Sequence, residues 1–408
     1  MKCRFCQNPL SREFVDLVNS PPSNSYLRRE QLSEPEIFYP LRVFVCEKCL
    51  LVQIDEFKKA DEIFDENYAY FSSFSKSWLE HSKNYVEMMC GRFGFDENSQ
   101  VIEIASNDGY LLQFFRQKNV PVLGIEPTLN TAKAAREKGI ESWTEFFGTE
   151  LAQKLVSGNR KGDLLLGNNV LAHVPNINDF VAGLKIALKT NGVITMEFPH
   201  LLQLVENNQF DTIYHEHFSY LSLHTARKIF AAHGLTIFDT EEILTHGGSL
   251  RIFAKHTENE SLENTPNVEK VLEKEKEFGL LDLDYYSNFQ QKTNRVKYDF
   301  LAFLIEQKRL GKKISAYGAA AKGNTLLNYC GIKNDLIDFV VDASPHKQNL
   351  FLPASHIPIV DESFIEREKP DFVVVLPWNL KEEIFGQLDY IREWNGKFVV
   401  AIPKLEIN

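Results

Sequence analysis

The stretch Val101-Ile102-Glu103-Ile104-Ala105-Ser106-Asn107-Asp108-Gly109-Tyr110 decides the fold. It reads as a short apolar strand that ends in small residues and turns into a helix. Outward from it, strand candidates recur at 100–104, 120–125, 163–167 and 192–198. Amphipathic helical stretches such as 130–138 and 178–189 lie between them. Short apolar strands alternating with helices predict an α/β fold, with a parallel sheet covered on both faces. Ser222 is placed to cap a helix running to about His233, and 235–243 and 249–256 read as two antiparallel strands. The Glu-rich stretch 257–277 reads as a solvated linker and helix face. A helix to about Leu310 follows it. A second, smaller alternation then begins, with strands at 313–317, 336–341, 371–376 and 397–402.

The chain has 408 residues, 44 % apolar and 25 % charged, which is ordinary for a globular protein and excludes widespread disorder or a small disulfide scaffold. No apolar run reaches the roughly 18 residues of a membrane span. Met1-Lys2-Cys3-Arg4-Phe5-Cys6 lacks the apolar core of a secretory signal, so a cytoplasmic location is expected. Acidic residues outnumber basic ones 56 to 45, for a formal charge of −11. That balance speaks against a nucleic-acid partner and says little about a small anionic ligand.

Four of the six cysteines form two C-x2-C pairs, Cys3 with Cys6 and Cys46 with Cys49. Such pairs read as a tetrahedral thiolate zinc site before they read as disulfides or a redox dithiol. With no open coordination position the site is structural. Cys90 and Cys330 read as core or surface thiols. Residues 1–65, interrupted by Pro21, Pro22, Pro35 and Pro40, look like a module whose core is too thin to fold without metal. The expected organisation is a zinc-binding module over 1–65, a larger α/β domain over 66–258, and a linker helix with a smaller α/β domain over 259–408.

Ligands of doubly wound sheets bind outside the carboxyl ends of the strands, where Ser106, Asn107, Asp108 and Gly109 lie. Glu126, in Gly124-Ile125-Glu126-Pro127, ends the second strand and can accept hydrogen bonds from both hydroxyls of a ribose. The G-x-G-x-x-G fingerprint is absent and Asp108 would face a pyrophosphate badly. A cationic, ribose-bearing cofactor such as S-adenosylmethionine matches better, with Glu103 in the first strand and Asn168 and Asn169 from the third and fourth strands. A cofactor-free α/β protein is the competing reading. The stretch Phe210-Asp211-Thr212-Ile213-Tyr214-His215-Glu216-His217-Phe218-Ser219-Tyr220 is dense in acid–base groups. It lacks the i, i+4 spacing of a helical zinc site, although a second metal stays open. A His of ordinary pKa ~6.5 suits proton transfer near neutrality, Glu216 can orient it, and Tyr214 can donate to an oxyanion. Arg251, after Gly247 and Gly248, reads as a phosphate partner or a surface arginine. Tyr68, Tyr70, Ser72 and Ser73 read as a sugar or nucleotide contact or a packed junction. The turn Tyr317-Gly318-Ala319-Ala320-Ala321-Lys322-Gly323-Asn324-Thr325 is not a Walker motif. Its helix-start amides and Lys322 can hold a phosphate, or the turn binds nothing.

Together these blocks resemble the sugar C-methyltransferases that act on nucleotide-linked 4-keto-deoxysugars. The resemblance spans the chain: the paired N-terminal cysteines, Y-F-S-S, E-I-A-S-N-D-G, N-N-V-L-A-H-V-P, E-F-P, F-D-T-I-Y-H-E-H-F-S-Y, H-G-G-S-L-R and Y-G-A-A-A-K-G-N-T, in order. It implies an N-terminal zinc module, a central class I methyltransferase sheet, and a C-terminal Rossmann-like domain, with Zn2+ at Cys3, Cys6, Cys46 and Cys49. The donor site falls on Glu103, Ser106, Asn107, Asp108, Gly109, Glu126, Asn168 and Asn169. The catalytic motif falls on Tyr214, Glu216 and His217, with His217 as general base. Tyr68, Tyr70, Ser72, Ser73, His173, Arg251, Lys322 and Asn324 are expected near the sugar nucleotide. The implied reaction removes a proton beside the 4-keto group and methylates that carbon, C-3 rather than C-5. An O- or N-methyltransferase and a non-catalytic sugar-nucleotide module are the rivals. The nucleotide base, the sugar and the oligomeric state stay open.

Overall fold

The chain opens with three antiparallel strands, β1 (Arg12–Ser20), β2 (Tyr39–Val45) and β3 (Val52–Ile54). The computed structural model describes residues 1–59 and 71–408. The expectations at Tyr68 and Tyr70, and the boundary near residue 65, lie outside the described residues.

A central sheet follows, built from β4 (Val101–Ile104), β5 (Val122–Ile125), β6 (Ser142–Trp143), β7 (Gly162–Asn168) and β8 (Leu188–Pro199), all parallel. The antiparallel pair β10 (Leu235–Ile243) and β11 (Ser249–His256) extends it, in the order β10-β11-β8-β7-β4-β5-β6. Every residue of β4 is buried, because helices cover both faces of the sheet and the strand has no polar side to show. Alternate residues serve opposite cores. Ile102 and Ile104 pack with Leu151 and Phe180, whereas Val101 packs with Tyr85, Met89 and Phe115. The helix expected over 178–189 runs Ile177–Ala187, started by the Asn176 side chain on the Asp179 amide and stopped where β8 begins. Ser222 caps the Leu223–Ala232 helix by accepting from the Thr225 amide at 3.1 Å.

The short strand β9 (Ser219–Tyr220) leaves the central sheet and completes the first one, pairing antiparallel with β3. The N-terminal module therefore closes around a segment from the middle of the chain. Its apolar side is also continuous with the C-terminal half: Phe14, Val15, Leu17 and Val43 share one cluster with Phe289, Phe300, Leu326 and Leu327. Phe14 stacks on Phe289 with ring centroids 4.4 Å apart. The module therefore shares its core rather than closing one of its own. Neighbouring domains supply much of the apolar surface that it buries.

The third sheet has six strands in the order β14-β13-β12-β15-β16-β17, from β12 (Ile314–Tyr317), β13 (Phe339–Val341), β14 (Ile359–Val360), β15 (Phe372–Val375), β16 (Lys397–Val400) and β17 (Glu406–Ile407). The helix expected to reach Leu310 is found as Phe289–Arg309. No helix among the described residues is long and apolar enough to cross a membrane.

The Glu-rich stretch is solvated over most of its length, but one face of its helix is buried. Thr265 caps a helix over Pro266–Glu277, whose Val268, Val271 and Glu275 are buried. The Glu275 carboxylate accepts from His200 Nε2 at 2.7 Å and from the amides of Leu223 and His224, so it closes the start of the Leu223–Ala232 helix. Glu275→Ala would leave these donors buried and unpaired. A loss of about 3 kcal/mol in unfolding free energy is expected, measured by urea denaturation.

Candidate active site and metal centre

Each C-x2-C pair sits in a knuckle of the same construction. The Gln7 amide donates to the Cys3 carbonyl at 3.0 Å, and the Leu50 amide to the Cys46 carbonyl at 2.9 Å. Gln7 and Leu50 adopt φ of 61° and 67°, which turns the chain sharply enough to aim both sulfurs of a pair at one point. Across the pairs, Cys3 and Cys49 Sγ are 3.5 Å apart, as are those of Cys6 and Cys46, and all four lie within 4.8 Å of one another. A tetrahedral ion with bonds of about 2.3 Å needs sulfurs about 3.8 Å apart, so the thiolates fit Zn2+. Between the first two ligands, the Arg4 guanidinium donates to the carbonyls of Ile54 (2.6 Å) and Pro175 (2.8 Å) and lies 5.2 Å from the Phe218 ring. The metal knuckle is thereby joined to the residue after His217.

At the end of β4 the backbone alternates into the left-handed region, with φ of 57° at Ala105, 49° at Asn107 and 75° at Gly109. The Asn107 amide donates to Glu126 Oε2 at 2.8 Å, and the Thr128 amide to Oε1 at 2.9 Å. Glu126 therefore braces the turn as well as ending β5. Burial pushes its carboxyl up, against the Thr128 hydroxyl and these amides. Burial also pushes the Glu103 carboxyl well up, against the Tyr110 hydroxyl. Gly124 is required beside the turn, since a Cβ there would run into Ser106 and Ser142. Among the described residues, Ser106 Oγ, Asp108 Oδ1, Asn168 Nδ2 and Asn169 Oδ1 are buried without a hydrogen-bond partner. Such orphaned donors and acceptors at a strand-end turn suit a polar ligand with amino, carboxylate and ribose groups, as S-adenosylmethionine has.

Ser72 and Ser73 lie against this turn. The Ser72 amide donates to Asn107 Oδ1 at 2.9 Å, and Lys138 Nζ bridges Ser73 Oγ (2.8 Å) and Asp108 Oδ2 (3.0 Å). The preceding Phe71 stacks on His346 of the C-terminal domain at 5.5 Å.

The segment 210–220 brings the acid–base groups into the cleft between the central sheet and the C-terminal domain. His217 is buried, with Nδ1 2.8 Å from the Thr212 carbonyl. Its ring lies 4.0 Å from Tyr214 and 4.6 Å from His173. Burial lowers its pKa well below the usual value, and the nearby His173, His246 and Lys322 add to this against the Thr212 carbonyl. Burial likewise lowers His173 and His246 to about 4. Glu216 is pushed up to about 7 by burial, against the Asn24 amide, whose Nδ2 donates to Oε1 at 2.7 Å. His215 faces away, with Nε2 3.2 Å from the Pro40 carbonyl, so the H-E-H run does not converge on a second metal. Among the described residues only the four cysteines form a cluster able to hold an ion.

Two expected phosphate or substrate partners have other occupations. Arg251 is buried, paired with Glu197 at 2.9 Å and Glu241 at 2.5 Å, which corrects its reading as a free phosphate partner. Asn324 is buried with Nδ2 on the Ser23 carbonyl at 2.6 Å. Lys322 lies at the cleft. Its Nζ is 2.7 Å from Asn379 Oδ1 and 4.7 Å from the Trp378 ring centre, and Trp378 Nε1 donates to Asp211 Oδ2 at 2.7 Å. Burial pushes Asp211 up to about 6, with Lys322 opposing.

Sequence reading missed Asn24, His81, Glu197, Asp211, His246 and Trp378 as parts of this cleft. Glu197 ends β8 and accepts from His81 at 2.9 Å, while Asn169 Nδ2 donates to His246 Nε2 at 2.8 Å. Burial pushes the Glu197 carboxyl up, but His81 and Arg251 outweigh it and hold it low. A strand-end acid in E-F-P was the available signal for Glu197; nothing local marks Asn24 or Trp378.

The chain matches three family descriptions in sequence: a zinc binding domain over residues 3–64, a methyltransferase domain over 82–240, and a C-methyltransferase C-terminal domain over 244–403. It is 32 % identical over 403 residues to the C-methyltransferase NovU of Streptomyces niveus, covering 99 % of this chain and 96 % of that one. Among solved structures, it is similar to a SAM-dependent methyltransferase from Anabaena variabilis, at 15 % identity and TM-score 0.36 over 50 % of this chain and 99 % of that one. A Clostridium acetobutylicum S-adenosylmethionine-dependent methyltransferase gives 13 % identity and TM-score 0.34 over 44 % and 92 %.

Purified protein is expected to carry one zinc per chain by metal analysis. Cys46→Ser should strip most of it and remove a large share of the ~10–16 kcal/mol that a structural zinc supplies, read by calorimetry.

Proposed function

The chain belongs to the sugar C-methyltransferase family and is an S-adenosylmethionine-dependent enzyme of that kind, and from that premise we propose its substrate and mechanism. The substrate is a nucleotide-linked 4-keto-deoxysugar, methylated on the carbon beside the ketone, C-3. One observation carries the mechanism. A carbonyl oxygen only accepts, so the contact with Thr212 puts the proton of His217 on Nδ1. Nε2 is then the basic atom of a buried, neutral imidazole, and the low pKa keeps it neutral across the physiological range.

The ketone acidifies the hydrogen on the neighbouring carbon. His217 Nε2 takes that proton, and the electron pair moves into an enolate. Tyr214, whose ring lies tilted against His217, would donate to the oxyanion. Glu216 assists from the same segment; near neutral pH its carboxyl is divided between protonated and ionised forms. When bound, S-adenosylmethionine supplies an electrophilic methyl on a cationic sulfur. The donor-side residues Ser106, Asn107, Asp108, Gly109, Glu126, Asn168 and Asn169 hold it at the strand ends, with Glu103 behind them in the sheet. Held there, it would supply the methyl to the enolate carbon and leave as S-adenosylhomocysteine, and contact between the two reactants would remove much of the entropic barrier. Burial of the cluster excludes water that would reprotonate the enolate. Lys322 is the cation placed to hold the phosphates of the nucleotide, whose binding orients the sugar. His173, with its ring 4.6 Å from that of His217, would face the sugar from the same side.

The test is incubation with S-adenosylmethionine and a panel of nucleotide-linked 4-keto-deoxysugars, read by mass spectrometry and NMR. One added methyl on C-3 is expected; a methyl on oxygen or nitrogen, or donor binding without turnover, would overturn the reading. His217→Ala should lower kcat by roughly 10²–10⁴-fold and abolish exchange of the sugar hydrogen with deuterated water. Donor affinity should change less than about twofold, since the residue touches the acceptor side. The pH dependence of kcat should carry a limb near the Glu216 value, about 7, that Glu216→Gln removes.

A further inference from the structure

The loop Pro21-Pro22-Ser23-Asn24-Ser25-Tyr26 belongs to the N-terminal module but reaches into the cleft. The C-terminal domain grips it on both flanks. Before Asn24, the Asn324 side chain donates to the Ser23 carbonyl at 2.6 Å, and Asn328 Nδ2 lies 3.3 Å from Ser20 Oγ. After it, the Tyr26 hydroxyl donates to the Ala319 carbonyl at 2.6 Å, and Leu27 and Phe351 exchange backbone bonds of 2.9 and 2.8 Å. Between these clamps Asn24 Nδ2 meets Glu216 Oε1 at 2.7 Å.

We propose that Asn24 is a positioning residue, supplied by the zinc module and clamped by the C-terminal domain, that fixes the Glu216 carboxyl in the cleft. This rests on the reading that Glu216 takes part in the reaction. A neutral amide suits the task. It donates to the carboxyl without adding a second charge to a buried site, and its position is set by backbone held from both sides. A lysine here would neutralise Glu216 outright. Among the described residues, few other groups face Glu216. Lys58, at the end of the first module, favours its ionised form, and the Tyr26 hydroxyl senses its charge. The His173 ring meets its backbone carbonyl, and the neighbouring His215 and His217 rings bond to Pro40 and Thr212 instead. Among the described residues Asn24 is therefore the hydrogen-bond donor that holds the carboxyl, and it favours the ionised form.

The experiment is the pH dependence of kcat and KM for the wild type, Asn24→Leu, Asn24→Asp, Glu216→Gln and the Asn24→Leu/Glu216→Gln double variant. Asn24→Asp keeps the side-chain shape while exchanging the donor for a second carboxyl. Both Asn24 variants should move the neutral limb of kcat upward by about one pH unit, with the donor KM changed less than twofold. In the Glu216→Gln background, Asn24→Leu should alter kcat by less than twofold. An unmoved limb in both Asn24 variants, alongside its loss in Glu216→Gln, would overturn the role of Asn24 alone. A wild-type profile in Glu216→Gln would instead overturn the role of Glu216, and that of Asn24 with it. A loss of melting temperature and kcat that persists undiminished in the double variant marks a merely structural residue and also overturns the proposal.

Discussion

The pairing of β3 with β9 is the constraint on which the rest of the site depends. It sets Val52 against Tyr220 and Gln53 against Ser219, with the Ile54 amide on the Phe218 carbonyl at 3.2 Å. Two strands this short do not hold together in water by themselves. They are held by what lies at their ends. On one side, Arg4, between two zinc ligands, reaches the Ile54 carbonyl and the Phe218 ring. On the other, Phe218 and Tyr220 sink into the cluster shared with the C-terminal domain. His217 is one residue upstream of this junction, so a metal site with no open position still governs where its imidazole sits.

The cleft itself manages charge by keeping its bases neutral and its ions paired. His173, His217 and His246 all lose basicity on burial, because a charged imidazole would lack the solvation that water provides. The buried ions beside them are compensated. Glu197 is shared by His81 and Arg251, and Asp211 faces Lys322 and Trp378. Pairing of this kind adds little net stability, yet removing one partner would strand the other. It leaves neutral imidazoles among paired ions in the interior of the cleft.

The domains meet through side chains as well as sheets. Trp378 of the C-terminal domain packs where Gly247 leaves room, since a Cβ at Gly247 would collide with its ring. Thr325 of the same domain bonds the Ile213 carbonyl at 2.9 Å, just before Tyr214. The segment 210–220 is thus gripped from the zinc module, the central sheet and the C-terminal domain together. Three weak local attachments give a rigid placement that none would give alone.

Local pattern made much of this legible in the sequence. Apolar runs marked β4, β5, β7 and β8, and Ser222 marked a helix start. Paired cysteines marked the knuckles, because two sulfurs separated by only two residues need no more than a local turn to converge. Tyr214, Glu216 and His217 are neighbours through the chain itself, so their clustering needs no long-range contact to be read. What periodicity and spacing do not carry is which distant surfaces meet. The desertion of β9 to the first sheet, the reach of Asn24 to Glu216, the burial of Glu275 under a helix start and the capture of Arg251 by two carboxylates all join residues that local pattern does not connect. A charged side chain reads the same in sequence whether water or a buried partner will surround it. Only the packing of the three sheets decides that, because burial and partner are properties of the assembled interior and not of the residue.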